Sequence, residues 1–474
     1  MYYTRIATFV LLLLISFAVK ISAQQNLTMY GISANPQANT LNPAITNSCK
    51  VYVGLPVISS LHFNYGNDAF TYRQFFTKEG NFYAIIPSKL HLSATNSIST
   101  EAYVGLLSAG LWYKKTYFHF SITDKTDAAY IFSKDMFTLL LGGNSTYETK
   151  QANIGRTGAY FDYRREYALG VARKINKETT IGIKGKLLFG KLNISTPKSV
   201  IDIYTNPDSF NLSVFADLKI NTSLPTQVQV NNSGRITGAS FNGNVSSILF
   251  NTKNKGLAFD IGFIHDVNEL FTISGSILDL GLIWYRTDNN NYRIDGNYAY
   301  NGAYGDSVFT THYFQRTLNN AFDQLNATLN NKSYVSFLPP RVYFNYQYHY
   351  TKSTDLNLLF SGKIYRYKVL PSFAASVNQR IFKNFYGAAS WSFNNKSFKN
   401  FGLGIVVGRS PLQLYAFTDN ILGIMDPLNS RNINLRFGIN FIFGCKKKVK
   451  LNDCGCTWIN ELEQKKKHSP LRKK

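Results

Sequence analysis

Between Asn432 and Phe443 every second residue is apolar. Ile433, Leu435, Phe437, Ile439, Phe441 and Phe443 form one set; Asn434, Arg436, Gly438 and Asn440 form the other. A period of two places these sets on opposite faces of a β-strand. An arginine and two asparagines are costly in a dry core and ordinary in a wet lumen. The pattern recurs along the chain. Phe401, Leu403, Ile405 and Val407 alternate with Gly402, Gly404, Val406 and Gly408, and Val342, Phe344, Tyr346, Tyr348 and Tyr350 oppose Tyr343, Asn345, Gln347 and His349. Phe385, Gly387, Ala389, Trp391 and Phe393 share another face. Two hairpins are legible: Leu257, Phe259, Ile261 and Phe263 reach a polar turn at 265–269 before Phe271 and Ile273, and Tyr167, Leu169 and Val171 reach one at 175–178 before Ile181, Ile183, Gly185, Leu187 and Phe189. Such alternation predicts an all-β chain, a transmembrane antiparallel β-barrel of about 14 strands, with 12 or 16 as alternatives. Short turns are expected at the periplasmic rim and long, Asn-rich connections outside.

Composition narrows the alternatives. Of 474 residues 45% are hydrophobic and 15% aromatic, with 36 Phe and 31 Tyr. That excludes a disordered chain, because so much aromatic surface must be buried or given to lipid. Charged residues reach only 16%, under the roughly 25% of soluble domains. A mean hydropathy of −0.15 and the lack of long apolar runs exclude a bundle of membrane helices. Ser276 to Trp284 is about the longest apolar stretch beyond Lys20, and Asp279 interrupts it.

The ends divide the chain. Arg5, an apolar run from Ile6 to Val19 and the small residue Ala23 have the layout of a secretory signal peptide over residues 1–23, cleaved between Ala23 and Gln24. Residues 24–50, rich in Asn, Pro and Ala, are expected to form an N-terminal plug or hatch, residues 51–444 the barrel, and residues 445–474 a basic periplasmic tail. Two helices are expected in connections: one from Asp135 to Leu141, and one amphipathic helix carrying Phe314, Leu318, Ala321, Phe322, Leu325 and Leu329. The four cysteines do not make a disulfide framework; Cys445, Cys454 and Cys456 crowd the tail, where Cys445 is expected to bridge to Cys454 or Cys456.

The formal charge is +24. In an exported barrel this reads as attraction to anionic lipid and lipopolysaccharide at the rims, not as nucleic-acid binding. The expected location is the bacterial outer membrane. Enzymatic motifs are wanting: the sequence holds no H-E-x-x-H, G-x-S-x-G or G-K-[ST], and its histidines are scattered. His119 and Ser121 share a strand face in a spacing that resembles an outer-membrane phospholipase, but they alternate with Phe118, Phe120 and Ile122 and so point to the lumen, with no orienting third group. No enzyme activity, cofactor or metal site is expected. Asp260 falls on a lumen face and is expected to be a solvated charge.

Arg436, Gly438, Phe441 and Phe443 lie in an order that resembles the terminal-strand signal read by barrel-assembly machinery. More widely, Asn42-Pro43-Ala44, the stretch from Phe132 through Asn144, Tyr167-Ala168-Leu169-Gly170, Ile181-Gly182-Ile183-Lys184-Gly185-Lys186 with Gly190, Lys255 through Gly262, and Leu278-Asp279-Leu280-Gly281 with Trp284 resemble an uncharacterised family of Bacteroidetes outer-membrane barrels. The early Asn-Pro-Ala is also similar to FadL-like transporters and to PorP/SprF-like membrane proteins of type IX secretion. A wide, polar-lined barrel with an N-terminal hatch is expected to be a passive channel or transporter for a small solute, apolar ones included. The alternative is a structural or secretion-machinery component whose tail docks a periplasmic or envelope protein.

Overall fold

In a computed structural model the structure describes residues 26–445, apart from 80–81, 85–89, 91, 143–146, 148–150, 210, 231–235, 301–324 and 383. The expected cleavage site between Ala23 and Gln24, and the tail with Cys454 and Cys456, lie outside them.

Fourteen antiparallel strands close into a ring. In chain order they are β1, in two halves (Val51–Gly54 and Leu61–Asn67), β2 (Thr95–Tyr113), β3 (Thr116–Ser133), β4 (Gly158–Lys174), β5 (Thr179–Thr205), β6 (Asn254–Asp266), β7 (Phe271–Tyr285), β8 (Arg341–Thr351), β9 (Thr354–Tyr365), β10 (Lys368–Phe382), β11 (Phe385–Asn394), β12 (Ser397–Arg409), β13 (Leu412–Thr418) and β14 (Asn432–Phe443). Each strand pairs with its chain neighbour, and β14 returns to β1 with Val51 opposite Phe443 and Leu61 opposite Phe437. At one rim all six connections are tight turns, and both barrel ends lie there. The long connections are at the other rim, where β5 overshoots the barrel and pairs with Leu212–Ser223, which in turn pairs with Asn289–Tyr300. At 27 residues, β5 far exceeds the ~9–11 that cross a bilayer.

The alternation read from the sequence holds in three dimensions. Leu169, Val171, Ile183, Leu187, Leu257, Phe259, Ile261, Phe344, Leu358, Phe401, Leu403 and Phe437 are exposed on the outer surface, whereas Ala168, Lys184, Lys186, Ala258, Asp260, Tyr343, Asn345, Arg436 and Asn440 are buried inside. A contiguous exposed apolar belt of this size is a lipid-facing surface. No described helix is long and apolar enough to cross a membrane, so the crossing is made by strands.

Two expectations change. Lys134–Gly142 is helical as expected, but the expected helix through Leu329 ends otherwise. Its residues up to 324 are outside the described set, and Leu329 lies on the strand Asn326–Asn330, opposite Tyr292. Its three-and-four spacing competes there with a free edge that offers backbone partners, and the edge wins. Cys445 bonds to Cys49, not to Cys454 or Cys456. The β1–β14 register explains this: continuing outward from Val51 opposite Phe443 sets residue 49 opposite residue 445.

Candidate functional site

The inner wall has a charged half and a hatch half. On strands β2 to β9 the inward positions carry Glu101, Lys125, Asp127, Asp162, Arg164, Glu166, Lys184, Lys186, Asp260, Asp279, Arg341 and Lys363, nearly all fully buried. Arg164 pairs with Asp127 at 2.8 Å, Asp162 at 2.6 Å and Glu166 at 2.8 Å. Lys363 pairs with Glu101 at 2.6 Å and Asp127 at 3.0 Å. Arg341 meets Glu101 and Asp127, both at 3.2 Å. Lys186 holds Asp260 at 2.7 Å and Asp279 at 2.5 Å, and Lys125 reaches Glu166 at 2.8 Å. Asp260 is therefore not the solvated charge expected from sequence: facing strands supply a counter-ion closer than bulk water. Burial makes such pairing obligatory, because an isolated ion away from water is strongly disfavoured.

A bulge delivers Asp279. Across β6 and β7 the register shifts between Phe259 and Ile261, so Asp260 faces two residues, Leu278 and Asp279. Asp279 takes φ +59°, a region that aspartate tolerates better than most side chains. Its backbone N–H donates to Asp260 Oδ1 at 2.8 Å. Leu278 and Asp279 both turn inward, and the outer series resumes at Leu280.

Residues 26–49 occupy the other half of the lumen. The Asp419 carboxylate accepts the backbone N–H groups of Asn26, Leu27 and Thr28 at 2.6, 3.1 and 2.8 Å. Leu27, Met29, Tyr30, Ile32 and Leu41 pack against Leu278, Tyr343, Leu359, Ala374, Ala388, Val406, Tyr415 and Phe417 from β7 to β13. A short 3-10 helix, Pro36–Thr40, comes next, with Asn35 as its cap. Gln37 and Asn440 exchange amide hydrogen bonds at 2.6 and 2.9 Å.

The sequence motif Asn42-Pro43-Ala44 seats on the wall. Asn42 Nδ2 donates to the Tyr30 hydroxyl and to the carbonyls of Phe263 and Gly275, while its Oδ1 accepts the Ala44 N–H at 2.9 Å. The seat is bare backbone. Gly182 and Gly262 lie opposite each other on β5 and β6. A Cβ on Gly182 would sit 2.2 Å from the Pro43 carbonyl carbon, and one on Gly262 2.1 Å from Asn42 Oδ1. Glycines from two separate motifs thus serve a third, the Asn-Pro-Ala.

Arg436 is lumenal, as its strand parity predicts, and donates to Ser60 Oγ and Thr40 Oγ1. Gly438 leaves room for the inward loop between the halves of β1, since a Cβ there would meet the Ser59 carbonyl oxygen at 2.2 Å. Phe441 and Phe443 face outward. His119 and Ser121 both line the lumen, and His119 Nε2 has no hydrogen-bond partner among the described residues. Between the charged half and the hatch lies a cavity of about 70 Å³, bounded by Asn39, Thr40, Ser60, Lys184, Asp260 and Arg436 among others. An apolar cavity of ~150 Å³ admits benzene; this one has room for a few waters. Sequence reading missed the ion network, although its members sit at inward positions of alternating strands and that parity was the available signal.

A closed antiparallel barrel with an apolar outer belt, a charged lumen and an internal N-terminal segment is a transmembrane β-barrel of the outer-membrane type. Residues 43–419 match the family of unknown function DUF5723, and the chain belongs to that family, in agreement with the resemblance to an uncharacterised barrel family. No curated protein matches. Among solved structures, a FadL homologue of Pseudomonas aeruginosa is similar at 10% identity and TM-score 0.39, covering 90% of this chain and 100% of that one. The toluene transporter TbuX of Ralstonia pickettii gives 9% and 0.32, covering 86% and 94%. The translocator domain of the autotransporter NalP from Neisseria meningitidis gives 8% and 0.30, covering 84% and 90%. Likenesses this distant carry no argument about function.

Proposed function

We propose that this protein is an exported outer-membrane conduit for a small polar solute, closed at rest by residues 26–49. One observation carries the reading: the lumen is stopped by a separate terminal segment rather than by the wall's own side chains alone. That segment is seated on bare glycines and held by hydrogen bonds that can be exchanged for water, together with an apolar cluster around Leu27, Met29 and Tyr30. A barrel needs no removable stopper to serve only as a scaffold. The charged lumen favours a polar solute over an apolar one.

The test is conductance in planar bilayers of the purified protein and of a variant lacking residues 26–46. The intact protein is expected to be closed, and the variant to conduct in discrete steps. A variant that assembles, shown by heat-dependent gel mobility, yet stays closed would overturn the conduit. It would favour the secretion or scaffold reading, for which the small cavity speaks.

A further inference from the structure

The wall under the hatch holds amide atoms that the closed barrel leaves without partners. Asn345 and Gln347 on β8, Asn357 on β9 and Asn378 on β10 are between 2% and 7% exposed. Asn345 Nδ2 donates to Asn357 Oδ1 at 3.4 Å. Asn345 Oδ1, Gln347 Nε2, Asn357 Nδ2 and both amide atoms of Asn378 have no hydrogen-bond partner among the described residues. Buried amides are normally satisfied, and an unmade bond is costly. The four converge on one hatch residue. Gln347 lies opposite Asn357 in the β8–β9 register. A Cβ built on Gly31 would sit 2.3 Å from Asn378 Nδ2 and 3.0 Å from Asn357 Nδ2, so one small group near that point reaches both. Asn345 and Gln347 bound a second cavity, of about 30 Å³, together with Tyr30, Gly31 and Thr46 of the hatch and Ile264 of the wall. Gly31, Thr46 and Ile264 are only half-buried, and Ile264 adjoins the rim of tight turns, so the cavity is not sealed from that mouth. The hatch covers these amides without bonding them.

The unpaired set contains donors and acceptors and no charge. An ion satisfies one kind and leaves the other, whereas a hydroxyl offers a donor and an acceptor on one oxygen. Two neighbouring hydroxyls match the carbonyl and amino ends of a single amide such as Asn378. We propose that Asn345, Gln347, Asn357 and Asn378 form a binding site for the vicinal hydroxyls of a neutral sugar, between Gly31 and the wall. The inference deepens the conduit reading, which it rests on, by naming the solute's class. Amides fixed on three neighbouring strands suit hydroxyls fixed on a ring, which loses little freedom on binding. The ions of the charged half are paired with one another and leave recognition to this neutral face. With the hatch seated the cavity has room for a water or two. The sugar hydroxyls would take those places and lift Gly31 off the wall.

The test is calorimetric titration of the purified full-length protein with glucose, in an amine-oxide detergent that carries no sugar headgroup of its own. Glucose is expected to bind, and Asn378→Leu and Gln347→Leu, on different strands, each to weaken it at least tenfold. Lys198→Met, at an exposed position, should leave it unchanged. Because the replaced amide atoms make no bond in the closed barrel, both leucine variants should unfold in urea at or above the parent's midpoint. A lower midpoint in both would show that the amides serve the fold itself and would overturn the site. So would glucose heats equal to those of buffer, undiminished binding in the assembled leucine variants, or binding of glycylglycine in place of glucose. This titration reads no conductance. A barrel that binds glucose but stays closed without residues 26–46 sinks the conduit alone, and a conducting hatch-deleted barrel whose intact parent ignores glucose sinks the sugar site alone.

Discussion

Replacing Asp279 by alanine should be among the most damaging single changes in the barrel. Its carboxylate lies 2.5 Å from Lys186 Nζ, 3.5 Å from Arg341 Nε and 3.9 Å from Lys125 Nζ. Arg341 and Lys125 keep other partners, but among the described residues Lys186 keeps only Asp260 within ion-pair distance. Removing one member of a buried ion pair costs about 3–5 kcal/mol, because a desolvated charge is left behind. Alanine at φ +59° adds roughly 1 kcal/mol of backbone strain. The expected loss is therefore about 4–6 kcal/mol for Asp279→Ala and about 3 kcal/mol for Asp279→Asn, which keeps shape and backbone tolerance and drops only the charge. The assay is reversible urea unfolding in lipid vesicles, followed by tryptophan fluorescence and gel mobility. Buried pairs are little screened, so 0.5 M salt should leave the difference nearly unchanged. Adding Lys186→Met to Asp279→Asn should lower stability further, since it leaves the buried Asp260 carboxylate without its ion-pair partner. Stability of Asp279→Asn within about 0.5 kcal/mol of wild type would refute the reasoning, for it would mean the charge is not desolvated in the folded barrel.

Gly262→Val should unseat the Asn-Pro-Ala segment and raise bilayer conductance, whereas Gly362→Val, at a position with no atom within 4 Å of an added Cβ, should leave the barrel closed; equal conductance in both disproves the seat. Asp419→Ala removes the acceptor of three hatch N–H groups, and hydrogen exchange at residues 26–28 should quicken at least tenfold; unchanged protection there counts against the anchor. Phe437→Arg, on the outer face, should cost ~2–4 kcal/mol near the bilayer midplane, and Arg436→Gln clearly less; equal losses in urea unfolding would mean the faces of β14 are reversed. Peptide mapping without reductant should recover Cys49 joined to Cys445, and a Cys445–Cys454 peptide in its place would refute the seam register.

The sequence alone determined the class of fold and the two faces of most strands. Alternation is a local property: which way Phe437 or Arg436 points depends only on strand parity, so it can be read without knowing any partner. The Asn42-Pro43-Ala44 motif and the glycines at 182 and 262 were also visible, but nothing in their spacing said that they meet. Tertiary closure decided the rest. Bulges at Asp279 and between Gly105 and Leu107 reset the parity, so a strict period of two misplaces the residues beyond them. Lys363 and Glu101, 262 residues apart, become partners only because the ring closes with a particular tilt and stagger, which no single strand specifies. The same closure set Cys445 opposite Cys49 across the β1–β14 seam, where sequence proximity had favoured the cysteines of the tail. Local pattern fixes a side chain's face; only the closed barrel fixes its neighbours.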